Sequence, residues 1–212
     1  MFATGFSTAI ASQIGGIFTS PPAPTVTSTD VRYIRLFDEK GKPASGFTVD
    51  PRTRRHGSCW QSSIVSVDPG AYRCIDGANS SYLFDPCWVV WGRSSTDKVG
   101  CLETPWSRKI VMVSLSSDPN WNDDKRTPQP PWGLEVQDPR DPRMFLRCTY
   151  QGGVNTPIAG QLTAWECVEK NGRHVGWIVG QIDDRGIGPW KVYFAADGSD
   201  QIVRTSVRTA WQ

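Results

Sequence analysis

Six cysteines, at positions 59, 74, 87, 101, 148 and 167, constrain this chain more than any other feature. No two lie close enough to form Cys-x-x-Cys, so the usual zinc and redox spacings are absent. The first four fall at gaps of 15, 13 and 14 residues, and the last two are 19 apart. An even count at such spacings, in a chain with 20 Gly and 16 Pro, reads as a disulfide framework and implies an oxidising compartment. Six cysteines permit fifteen connectivities. Pairing of neighbours (Cys59–Cys74, Cys87–Cys101 and Cys148–Cys167) is favoured because it closes short loops within hairpin-sized units. Each such loop contributes roughly 3 kcal/mol in the chain-entropy model.

At 212 residues the chain is long enough to bury a core of its own, so the bridges supplement the packing rather than replace it. Its ten tryptophans are the compositional outlier. An indole brings a large apolar area together with an N–H that needs a partner. The expectation is a Trp-rich core, with a few indoles left to line a ligand surface. Trp121, in a polar loop of Asn and Asp, and Trp106, at a strand edge, are the candidates for that surface role.

No charged side chain occurs from Met1 to Thr29. Phe2, Phe6, Ile10, Ile14 and Ile17 suit one face of a helix, but Gly, Ser and Thr dilute the stretch and no Lys or Arg opens it. The readings are a remnant of a signal peptide, a membrane anchor, or a tail. Pro21-Pro22-Ala23-Pro24 and the threonines after it form an extended linker. Residues 1–29 are therefore set apart as an apolar segment plus linker, and a disulfide-stapled domain is expected over 30–212. A seam near 117–131 allows two lobes.

Within that domain, short apolar runs alternate with turn clusters. The candidate strands are 31–37, 62–67, 88–91, 109–114, 133–136, 177–182, 190–195 and 201–211. In the last, Val203, Thr205, Val207, Thr209 and Trp211 share one face and Arg204, Ser206 and Arg208 the other, the pattern of a half-buried strand. The stretch 158–169 is ambiguous between a short helix and a strand, and 38–57 and 117–131 read as long loops. In 138–143 (DPRDPR) each proline bars helix at the residue before it, which predicts paired turns. The fold class expected is mainly β, an antiparallel sandwich or barrel-like domain.

Particular segments carry a resemblance. Ile34-Arg35-Leu36-Phe37, Gly57-Ser58-Cys59-Trp60, Asp85-Pro86-Cys87, Cys101 followed by Pro105-Trp106, and the closing Ala210-Trp211 together resemble an uncharacterised extracytoplasmic domain of actinobacteria, found in secreted or membrane-anchored proteins. The resemblance implies export and carries over no functional residue.

The charge balance, 23 Lys+Arg against 21 Asp+Glu, offers no overall field for a polyanion, and nucleic-acid motifs are absent. Arg52, Arg54, Arg55 and His56 form one short basic run, of which Arg54 and Arg55 are candidates for a ligand contact. Gly57-Ser58-Cys59-Trp60 matches the end of the pattern around a papain-like nucleophile, with His174 downstream. That chemistry requires Cys59 as a free thiolate. His56 stands where the pattern needs Cys, however, and the ten residues before it hold no glutamine to build an oxyanion hole. Asn120, Asn122, Asp123 and Asp124 lack the alternation of an EF-hand loop, and Asp183-Asp184 beside Arg185-Gly186 reads as a hairpin turn. No cofactor or metal site is indicated. The chain is thus expected to be an extracellular or cell-envelope binding module, without a catalytic set, for a cell-envelope glycan or a protein partner. The alternatives are a secreted hydrolase using Cys59 and His174, and a purely structural envelope domain.

Overall fold

The computed structural model describes residues 22–78, 83–90, 97–119, 130–152, 156–184 and 186–212. Among them there is no helix; the chain is all-β. After β1 (Asp30–Arg32), five strands follow: β2 (Thr48–Ser62), β3 (Ala71–Asp76), β4 (Leu83–Val89), β5 (Lys98–Cys101) and β6 (Lys109–Leu115). They form a meander that closes into a barrel. Consecutive members pair antiparallel, so the first and last of five must run the same way. The closing β2–β6 pair is indeed parallel.

The remaining strands are β7 (Gly133–Gln137), β8 (Phe145–Tyr150), β9 (Pro157–Ile158), β10 (Gln161–Val168), β11 (His174–Asp183), β12 (Lys191–Ala196) and β13 (Ile202–Trp211). Six of these pair in the order β7-β8-β10-β11-β12-β13, and β13 returns to β7. An even number of strands closes this second barrel with an antiparallel pair. The short β9 adds to β10, and β1 runs parallel to β13. Thr209 pairs with both Asp30 and Glu135, which puts β1 and β7 on opposite edges of β13.

Each barrel is filled by alternate residues of its strands. The first encloses Cys59, Tyr72, Cys74, Phe84, Cys87, Val89, Val99, Cys101, Val111 and Val113. The second encloses, among others, Leu134, Val136, Leu146, Trp165, Ile178, Phe194 and Val207. The three neighbour bridges are present, and no described cysteine is free. Each joins directly opposed residues of two adjacent strands: β2 to β3, β4 to β5, and β8 to β10. Three buried bridges are the mark of a chain that matures in an oxidising environment.

A third cluster lies between the barrels. Leu36, Phe37, Val65, Ala71, Trp88, Val90, Leu102 and Ile110 come together there with Trp132, and Tyr150 packs on both this cluster and the second barrel's core. Trp88 and Trp132 meet edge to face at 6.3 Å. Close approach requires a glycine at the start of β7: a Cβ on Gly133 would lie 2.3 Å from Pro105 Cγ.

Several expectations change. The loop expected over 38–57 contains the start of β2, the longest strand at 15 residues. The strand expected at 62–67 is mostly the turn that follows it, held by Val65 and Ser66 N–H groups donating to Ser63 Oγ. The ambiguous 158–169 stretch is strand, not helix, because Thr163, Trp165 and Cys167 alternate into the core. The turn over 138–143 is present, with Arg140 donating to the Asp138 carboxylate. In β13, Val203 is exposed and Ala210 buried. The strand changes neighbour from β12 to β7 near Val207, with an irregularity that breaks a strict two-residue alternation. The indoles divide: Trp88, Trp132, Trp165 and Trp211 are buried, Trp106, Trp177 and Trp190 half-buried, and Trp60 exposed, while Trp91 and Trp121 lie outside the described residues.

Candidate functional site

Between the barrels lies a cleft of about 330 Å³. Its first wall comes from the turn after β2 (Ile64, Val65), from Arg73 on β3 and from Leu83 and Asp85 on β4; the second comes from Trp132, Thr149, Tyr150, Gln151 and Gly152. The wall of the second barrel is held close at Gly152. There φ is +51°, and a Cβ would approach Ile64 Cδ1 to 2.4 Å.

Arg73 and Asp85 are polar members of otherwise buried strands. β3 buries Ala71, Tyr72, Cys74 and Asp76, and β4 buries Phe84, Pro86, Cys87, Trp88 and Val89. Asp85 accepts a hydrogen bond from Ser63 Oγ (2.6 Å) and one from the Ile64 N–H (3.3 Å). Arg73 Nε sits 3.2 Å from its Oδ2. Burial raises the Asp85 carboxyl to about 6, against the opposing pull of Ser63, Ile64 and Arg73. Arg73 is itself largely buried, its side chain 19% exposed, and makes no hydrogen bond among the described residues; Nε is sealed from solvent without one.

Beside Arg73, Trp60 is 42% exposed. It is the extra residue of a bulge, since Cys59 pairs with Cys74 and Gln61 with Arg73 while nothing opposes Trp60. A bulge re-aims side chains, and here it sets the indole under the Arg73 guanidinium, 6.0 Å from the ring centroid. Across the cleft, Tyr150 packs edge-on to Trp165, and Gln151 donates to Glu166 (2.9 Å).

Of the residues singled out from sequence, the described ones, Trp106, Arg55, Cys59 and His174, do not line this cleft. Trp106 is half-buried, edge to face with Trp211 at 5.9 Å, and Arg147 lies over its ring at 5.4 Å. Arg55 forms an ion pair with Asp76 and lies over the Phe84 ring. Arg54 stands opposite Met112 in the β2–β6 pair, its side chain outside the described part; Trp121 is outside it too, as are residues 120–124 with their Asn and Asp side chains. The apolar N-terminal stretch to Pro21, which carried the membrane reading, also lies outside it. Cys59 is bonded to Cys74 and has no thiol to pair with His174. His174 opens β11 in the other barrel, edge to face with Trp177.

Sequence reasoning missed Arg73, Tyr150 and the site role of Asp85. One signal was available. An aspartate inside the apolar run Leu83-Phe84-Asp85-Pro86-Cys87-Trp88-Val89-Val90 is a carboxylate placed where burial is costly, which calls for a partner. No family model matches the chain, and no curated protein or solved structure matches it.

Proposed function

We propose that the chain is an exported, non-catalytic binding module of the cell envelope that takes a saccharide in the cleft between its two barrels. The observation behind this reading is the composition of the cleft. Planar polar side chains (Arg73, Asp85, Gln151) meet aromatic ones (Tyr150, Trp132) in one recess at a domain junction, the setting in which small ligands are usually held. Sugar rings present hydroxyls around an edge and C–H groups on a face. They need that mixture of hydrogen-bonding planes and rings. The three buried bridges, which suit an oxidising environment, support the reading of export. Cys59 is bridged, so the hydrolase alternative has lost the nucleophile it relied on.

The test is a pull-down on insoluble peptidoglycan and on a panel of immobilised polysaccharides. The wild-type chain should be retained on at least one of them. Gln151→Trp, at an exposed position on the rim, should fill the recess and abolish retention without loss of fold. Equal retention of this variant would move the site elsewhere. No retention of the wild type on any glycan would reject the saccharide reading and leave a protein partner to be sought.

A further inference from the structure

The cleft contains a charged group that the described residues leave underused. Asp85 is committed to the first barrel: it accepts from Ser63 Oγ at 2.6 Å and from the Ile64 N–H at 3.3 Å, holding the turn after β2 against β4. Arg73 is not committed in the same way. Its Nε sits 3.2 Å from Asp85 Oδ2, off the line of a hydrogen bond, so the two-pronged fork that makes Arg–carboxylate pairs strong is not formed between them. Its Nε is sealed from solvent without a hydrogen bond among the described residues, and a buried donor left so is costly to keep. Its guanidinium lies over the Trp60 ring, 6.0 Å from the centroid, which helps to fix where the head sits.

We propose that Arg73 is an anion subsite, which receives a carboxylate borne by the saccharide bound in the cleft. The inference rests on the saccharide reading above and names the ligand as an acidic sugar, such as a uronic acid. A carboxylate matches the planar fork in two parallel hydrogen bonds. A single negative charge also matches the site better than a phosphate dianion does, because Arg73 is the one cation among the described residues that line the cleft.

The charged and titratable groups around Arg73 are few. Asp85 faces it from β4; Tyr150 lines the opposite wall; Glu166 of β10 is tied to Gln151 on that wall. Ionised, Asp85 offsets the arginine's charge and repels an incoming carboxylate. Burial lifts Asp85 to about 6, so it becomes neutral as pH falls from 7.5 to 5. A sugar carboxylate keeps its charge over that range. Affinity for the acidic sugar should therefore rise on acidification.

The experiment is calorimetric titration of the whole chain with an oligogalacturonide and with its methyl ester, a neutral analogue of the same shape, at pH 7.5 and pH 5. The acid should bind at least about tenfold more tightly than the ester, the cost of losing charge-assisted hydrogen bonds. It should also bind more tightly at pH 5 than at pH 7.5. Arg73→Gln should bring the acid down to the level of the ester, and Arg73→Lys, which keeps the charge but not the fork, should restore only part of the difference. The comparison of the two ligands uses the wild-type chain, so it holds even if a variant fails to fold. Equal binding of acid and ester would overturn the anion subsite and leave the saccharide reading standing. Binding of neither, together with no retention in the pull-down, would overturn both.

Discussion

Asp85 also titrates against the stability of the fold. Its carboxyl is raised to about 6 by burial, so the folded chain holds a proton there that the unfolded chain releases at ordinary aspartate pH. The stabilisation linked to this group is complete below the unfolded value and is lost as pH rises through about 6; integrated, it amounts to about 3 kcal/mol. Other carboxylates work in the opposite direction. Asp76 is held low by the Ala78 N–H and the Arg55 guanidinium, and Asp141 by Arg143, so both favour the fold only while ionised. Thermal stability should therefore peak near pH 5 and decline toward pH 7.5. In Asp85→Asn that decline should flatten, as a melting series across pH would record; an unchanged profile would mean that Asp85 is already ionised well below 6. Why the site escaped sequence reading is clear at this scale. Arg73, Asp85 and Tyr150 sit on three different strands, far apart in sequence or in different barrels, and only the docking of two barrels brings them to one recess. Trp106 and Arg55, which stood out in the sequence, already have partners inside the fold: Trp211 and Arg147 for the one, Asp76 and Phe84 for the other.

Among the elements, β10 depends most on a covalent tie. Its pairing with β11 shifts register at Thr163/Trp165 and again at Cys167/Val168, whereas its pairing with β8 runs in register through Cys167 and Cys148. A slip of one residue would turn Trp165 and Cys167 out of the core, and the Cys148–Cys167 bridge forbids it. Replacing both cysteines by alanine should lower the unfolding free energy by about 3 kcal/mol, the chain-entropy value for a loop of this size. Chemical denaturation of the two proteins at equal ionic strength gives the comparison, and a loss under about 1 kcal/mol would mean that the packing of Trp165 alone sets the register. The bridges were legible because spacing on the hairpin scale is a local property. So was the turn at 138–143. The strand β2 was not: Thr48–Ser62 carries Pro51, three arginines and no apolar alternation, and it is strand because β3 and β6 supply partners on both edges. The helix allowed at 158–169 lost for the same reason, since β8 and β11 flank that stretch.

For the whole molecule, what matters is whether the two barrels act as one body, because the proposed site exists only at their junction. Three features join them. Trp132, 3% exposed, is the second barrel's main contribution to the inter-barrel cluster and meets Trp88 of the first. Tyr150 packs on that cluster and on the second barrel's own core at once. The chain also crosses early: Thr29 Oγ1 donates to the Val207 carbonyl and accepts from the Trp190 N–H in the second barrel, whereas Leu36 and Phe37, a few residues on, are buried in the cluster beside the first. Such coupling predicts a single calorimetric transition, with calorimetric and van't Hoff enthalpies equal. Trp132→Ala removes a buried indole at a cost of about 3–5 kcal/mol. That loss falls on the junction, because Trp132 precedes β7 and belongs to the inter-barrel cluster rather than to the core of the second barrel. The variant should therefore melt in two steps, with each barrel still held by its own bridges, and it should lose ligand retention while its β-sheet content is intact. Should it instead melt once, at a lower temperature, the crossing segment from Thr29 to Phe37 would suffice to keep the barrels together, and the cleft would depend on that strap more than on the indole pair.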